Sequence, residues 1–128
     1  MKYVYPAILR QGDNSVGVSI PDLPGCHTYG NDLADALIMA KDAVEMWLWS
    51  AEDEGIPIPP ASDNLSPGLG ETCTLVVADT TEYRKANDAR AVKKTLSIPS
   101  WLNQMAEKAN APFSQILQQG LKSYLNIE

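Results

Sequence analysis

The sequence predicts an α+β chain, β-β-β-α-β followed by β-α-α, and three observations carry that reading. Strand-forming runs separated by turn clusters fill roughly the first thirty residues, and one long stretch of helical apolar spacing follows them. Charge changes sign near Tyr83. Residues 1–83 hold 13 acidic and 3 basic residues, a net of −10, whereas residues 84–128 hold 7 basic and 3 acidic, a net of +4. Finally, residues 92–128 read as a strand and two amphipathic helices, too little chain to bury both helical faces alone. The expected division is a domain over 1–83, a linker over 84–91 and a second domain over 92–128.

In the first domain, Tyr3, Val4, Tyr5, Ile8 and Leu9 are strand formers. Pro6 removes a ladder donor, so that strand is expected at an edge or with a bulge. Residues 11–15 (QGDNS) form a turn cluster and predict a hairpin. Val16, Val18 and Ile20 alternate with Gly17 and Ser19 as a half-buried strand. Pro24-Gly25 suits the centre of a type II turn, and residues 26–30 (CHTYG) suit a short third strand. Asn31 or Asp32 caps a helix whose apolar residues fall at 33, 37, 40, 44, 47, 48 and 51. Gly55 ends it, before Pro57. Residues 56–70 are too rich in Pro, Gly and Ser for regular structure, and residues 72–78 (TCTLVVA) are a β-branched strand. One helix on a mostly antiparallel sheet is expected.

The polar residues 79–91 either begin a helix or serve as a linker, and residues 92–98 (VKKTLSI) carry a short strand pattern. Pro99 stands at a helix start, with Trp101, Leu102, Met105, Ala106 and Ala109 on one face. Asn110 suits a left-handed helix end, and Pro112 starts a second helix whose buried face is Phe113, Ile116, Leu117, Leu121, Tyr124 and Leu125. Gly120 falls among them. It costs about 1 kcal/mol against alanine in a helix and is tolerable where another backbone approaches.

Composition narrows the function classes. Hydrophobic residues at 45% and charged residues at 20% are ordinary for a soluble globular protein. No apolar run nears the roughly 18 residues of a membrane span, and MKYVYPAILRQ has no apolar core or cleavage site for a signal peptide. No membrane association is expected. Cys26 and Cys73 are too few for a disulfide framework and lack metal-ligand spacing, so a cytoplasmic, reducing setting is expected. The net charge of −6 argues against nucleic-acid binding, but the basic end suits a polyanion and the acidic end a basic protein.

A second copy would complete the C-terminal segment: two strands pair as an antiparallel ribbon and four helices make a core. KKTLSIPSWLNQMAEKANAPFSQILQQGLKSYL resembles the ribbon-helix-helix DNA-binding module. A two-stranded ribbon fits the major groove of double-stranded DNA. Leu96, Ile98, Leu117 and Leu121 are the expected dimer core, so Lys93, Thr95 and Ser97 point to base edges. In that family the first turn of the second helix grips a phosphate, which falls here on Phe113 and Ser114. Pro112 stands where the family has a small polar cap, and Ser114 is equally an ordinary helix-start residue.

SIPDLPGCHTYGNDLADALIMAKDAVEMWL, GIPIPP and VVADTTEYRK resemble the HicB antitoxin domain, and the resemblance covers Tyr3 to Leu125. It implies a partial RNase H-like sheet with one main helix, followed by a ribbon-helix-helix or helix-turn-helix segment. It implies an antitoxin that neutralises HicA, a small basic ribonuclease that degrades mRNA, and represses the shared operon. The expected assembly is a homodimer through the ribbon, or a tetramer; toxin-contact residues are not readable. Neither cofactor, metal nor catalysis is expected. Asp13, Asp22, Asp32 and Asp35 each have a turn or helix-start role, and adjacent Cys26 and His27 point to opposite strand faces. Trp47 falls on the helix's core stripe. Trp49 falls off it, as an interface anchor or packed on the 56–70 loop. The rival readings are a stand-alone DNA-binding regulator whose acidic domain senses a ligand, and a catalytic RNase H relative.

Overall fold

The computed structural model describes residues 1–63 and 65–127. Its elements are β1 (Lys2–Gln11), β2 (Val16–Ser19), β3 (His27–Gly30), α1 (Leu33–Glu54), β4 (Glu71–Asp79), α2 (Thr80–Asn87), α3 (Ser100–Lys108) and α4 (Phe113–Leu125). The chain divides into two units, Met1–Arg90 and Ala91–Glu128. The first holds six basic and fourteen acidic residues, a net of −8; the second holds four and two, a net of +2.

In the first unit, four strands form one sheet in the order β3-β2-β1-β4, with every neighbouring pair antiparallel. The β1–β2 hairpin closes through Gly12 N–H on the Ser15 carbonyl at 2.7 Å. The corner before β3 is the expected turn: Cys26 N–H reaches the Leu23 carbonyl at 3.0 Å, and Gly25 has φ +78°.

β1 is central, which corrects the edge expectation drawn from Pro6. The reason lies in the register. Odd residues of β1 bond towards β4, as the Thr80 N–H to Met1 carbonyl bond at 3.0 Å shows at its end. Even residues face β2, whose pairing with β1 starts only at Ile8. Pro6 therefore lacks a donor on the side where no strand runs, and no ladder bond is lost.

One sheet face carries Tyr5, Ala7, Leu9, Val16, Val18 and Val76, buried against Ala36, Ala40, Val44 and Leu48 of α1. Asp32 caps α1 by accepting the Asp35 N–H at 2.8 Å, and Gly55 ends it in the left-handed region. At Gly30 the strand touches the first turn of the helix. A Cβ there would lie 2.2 Å from the Ala36 nitrogen, so only glycine fits. The loop after α1 is pinned by Tyr5 Oη donating to the Pro59 carbonyl and by Ser62 donating to Asp22. The opposite sheet face, with Val4, Leu75, Val77 and Tyr29, stands exposed.

Residues 80–87 form α2, so the expected linker 84–91 is helical over its first half. Asp79 caps α2 by accepting from the N–H groups of Thr81 and Glu82. Arg84 fastens the helix to α1 through Glu52 at 3.0 Å and Asp53 at 2.8 Å.

In the second unit, α3 and α4 are joined by a turn with Asn110 at φ 53°, as expected. Neither helix buries a single side chain. The strand expected over Val92–Ile98 is absent from the single chain, whose residues 88–99 have no regular structure. A lone strand has no neighbour to take its backbone hydrogen bonds, so the pattern of alternation cannot become a strand by itself.

Candidate functional site

Among the described residues, two surfaces are candidates for a role beyond folding. The first lies in the C-terminal unit. Lys93, Thr95 and Ser97 stand exposed on the irregular segment before α3, and Leu96 and Ile98 between them are 58% and 48% exposed. Phe113 and Ser114 open α4 behind Pro112, where no side chain caps the helix. Its first-turn N–H groups therefore lack intrahelical partners, which suits an anion. Leu117 and Leu121 lie on the same helix at 38% and 52% exposure. The segment thus displays a basic, irregular stretch, a helix N-terminus and an uncovered apolar face.

The second surface lies on the acidic unit. Residues 25–28, entering β3, face Met39, Asp42, Met46, Trp47 and Ile56 across a groove of about 550 Å³. Trp47 Nε1–H donates to the Pro24 carbonyl at 3.0 Å, which fixes the indole as one wall. Cys26 is buried and burial pushes its thiol pKa up, while His27 is exposed. The two side chains take opposite faces of the strand, and a raised thiol pKa works against a nucleophile.

Of the sequence-selected acids, Asp32 and Asp35 hold the start of α1, and Asp22 holds Ser62. Among the described residues, no three His, Cys, Asp or Glu side chains are placed to share a metal ion. Trp49 has neighbours that the sequence did not offer. It is half-buried under α2, edge-on to Tyr83 at 5.4 Å between ring centres, with the Arg84 guanidinium 5.7 Å above it.

Sequence reasoning missed the polar cluster that ties this region together. Glu52 accepts from Tyr3 Oη at 2.7 Å, Thr80 Oγ1 at 3.2 Å and Arg84 at 3.0 Å. Burial acts to raise the Glu52 pKa, but these three donors and the Arg84 charge outweigh it and hold the carboxyl below its usual range. Tyr3 is pushed up to about 12, by burial first and then by its bond to the Glu52 carboxylate. Glu45, also buried, accepts from Lys41 and from the Asp79 N–H, both at 2.7 Å. The sequence signal nearest to it, Asp79 followed three residues later by Glu82, marks only the start of α2.

Over residues 5–121 the chain matches the family described as the HicB-like antitoxin of a bacterial toxin-antitoxin system. Three solved structures share its fold. A toxin-antitoxin complex from Streptococcus pneumoniae is 22% identical at TM-score 0.60, covering 97% of this chain and 99% of that one. A chain of the HicA3 and HicB3 toxin-antitoxin complex is 27% identical at TM-score 0.52, covering 60% of this chain and 99% of that one. The antitoxin HicB of Burkholderia pseudomallei is 20% identical at TM-score 0.53, covering 96% of each chain. A 14.9 kDa uncharacterised protein from the rep-hol intergenic region of Haemophilus phage HP1 is 32% identical over 56 residues, which span only 42% of each protein.

Proposed function

This chain belongs to the HicB-like antitoxin family, and from that premise we propose that it neutralises a HicA-type toxin and represses its own operon by binding double-stranded operator DNA. It would act in the cytoplasm, by binding and without catalysis. The Met1–Arg90 unit, as a partial RNase H-like domain, would hold the toxin. The Ala91–Glu128 unit would close as a ribbon-helix-helix homodimer on DNA, with a tetramer as the larger assembly.

The observation that carries the reading is the uncovered C-terminal unit: its two amphipathic helices bury no side chain, whereas the N-terminal unit has a full core. A ribbon formed with a second copy would satisfy the backbone of residues 92–98 and cover Leu96, Ile98, Leu117 and Leu121. The same alternation would turn Lys93, Thr95 and Ser97 to the base edges. Phe113 and Ser114 would bring their N–H groups to a backbone phosphate.

Two measurements test it. Co-expression with the HicA-type protein of its operon should yield a complex that purifies intact and restores growth. Operator binding at one fixed salt concentration should weaken by about 1–3 kcal/mol in Thr95→Ala, with binding to unrelated DNA almost unchanged. Equal loss on both DNAs would end base reading by this strand. Loss of discrimination in Lys94→Ala alone, with Lys93, Thr95 and Ser97 dispensable, would shift the register by one residue.

A further inference from the structure

We propose that the outer edge of β3, with the groove beside it, docks an extended segment of a basic protein by strand addition. The inference rests on the antitoxin reading and names the part of the acidic unit that takes the toxin.

The backbone supplies the first argument. Ile20 N–H donates to the Cys26 carbonyl at 2.9 Å, in the register that pairs β2 with β3. Hydrogen-bonded pairs alternate along an antiparallel ladder, so Val18–Thr28 and Val16–Gly30 bond across it. The backbone N–H and C=O groups of His27 and Tyr29 then point away from β2. β3 ends the sheet, so among the described residues no strand meets them. Edges are ordinarily guarded by lysine, proline or a bulge. His27-Thr28-Tyr29-Gly30 has none of these.

Side-chain pockets supply the second argument. Strand addition takes its affinity from main-chain bonds and its specificity from pockets for alternate residues. The groove lies where alternate residues of an added strand would enter, between Cys26 and Thr28 on one side and Met39, Met46 and Trp47 on the other. The sheet's other edge, β4, has the same unpaired character, but the groove of this size runs along β3.

Charge selects the occupant. The groove lining includes Asp42 and neither lysine nor arginine. Asp42 is exposed and makes no ion pair among the described residues. The unit around it carries a net of −8. A segment with apolar residues at alternate positions and lysine or arginine between them meets all three features.

The test is titration calorimetry of the full chain with the HicA-type protein of its operon. Tyr29→Pro removes an outward N–H without taking a bond from β2 and should weaken binding at least tenfold. Asp42→Lys, on an exposed helix position that keeps the fold, should weaken it about tenfold, more at low salt than at high. Met46→Lys should act likewise by filling the groove with charge. Leu75→Ser, on the exposed sheet face away from this edge, should leave binding within twofold. Tight binding by the unmodified chain and by all three edge and groove variants would overturn the docking site and leave the antitoxin reading standing. No binding by the unmodified chain would overturn the antitoxin reading itself, and this proposal with it. Loss of self-association in Tyr29→Pro with toxin binding intact would assign the edge to a second copy instead.

Discussion

The two units solve the burial problem differently. Met1–Arg90 sets one helix on one face of a four-stranded sheet, and its core side chains are inaccessible within a single chain. Ala91–Glu128 has equally regular apolar spacing in α3 and α4 and buries none of it. Apolar periodicity therefore specifies a face but not what covers it. In the first unit the cover is a sheet encoded by the same chain. In the second, by the proposal above, it is another copy.

Core truncation should separate the units most sharply. Leu48→Ala should cost about 2–5 kcal/mol, because Leu48 is fully buried, and the loss should be the same at every protein concentration. Leu117→Ala should cost a similar amount only where the dimer forms, with a midpoint that rises with concentration and dissociation visible in sedimentation. A change below about 0.5 kcal/mol at all concentrations would mean that α4 keeps its single-chain exposure.

Glycine substitutions sharpen the same contrast. Gly30→Ala should lose about 3 kcal/mol, since its Cβ meets the backbone of Ala36. Gly120 has nothing within 4 Å of an added Cβ in the single chain. Gly120→Ala should then stabilise an isolated helix by about 1 kcal/mol. In the proposed dimer its place amid the apolar face reverses the sign, and a loss of about 1–3 kcal/mol is expected in chemical denaturation.

The smallest effect belongs to the polar cluster of the first unit. Tyr3→Phe should cost about 1 kcal/mol at neutral pH by removing one donor from Glu52. The depressed Glu52 carboxyl contributes stability above its unfolded pKa, and that contribution goes as pH falls through the lower folded value. Tyr3 acts at the other end: its contribution is full below pH 10 and fades as pH rises towards about 12. Glu52→Gln should flatten the acid limb of a stability–pH curve. An unchanged limb would place the acid sensitivity elsewhere.

Local chemistry made the first unit legible. The Asp32 cap, the Pro24-Gly25 turn, the Gly55 stop and the α1 apolar stripe are each decided within a few residues, and each stands where the sequence puts it. What was not legible depended on distant partners. Pro6 argued for an edge, but strand order is set by long-range pairing and by where β2 happens to end. α2 is short and polar, held by Trp49, Glu52 and Asp53, which lie about thirty residues earlier. The residue pattern of 92–98 alternates as a strand does, yet the single chain leaves it irregular, and by the proposal above it needs a second copy beside it. The groove escaped for the same reason: the residues before β3 and Met46 meet only after the chain folds back.

The unstructured stretch 88–99 also sets where the chain can be cut. It carries Arg90, Lys93 and Lys94 on exposed, irregular backbone, which a trypsin-like protease needs in order to thread a substrate through its cleft. α2 is held to α1 by Arg84, so nicking should stop short of it and release the acidic unit whole. Ribbon pairing would close the same peptide bonds within a ladder. If the proposed ribbon forms, the cleavage rate at these lysines would fall with self-association and with operator occupancy, and the life of the chain would depend on whether it is at work.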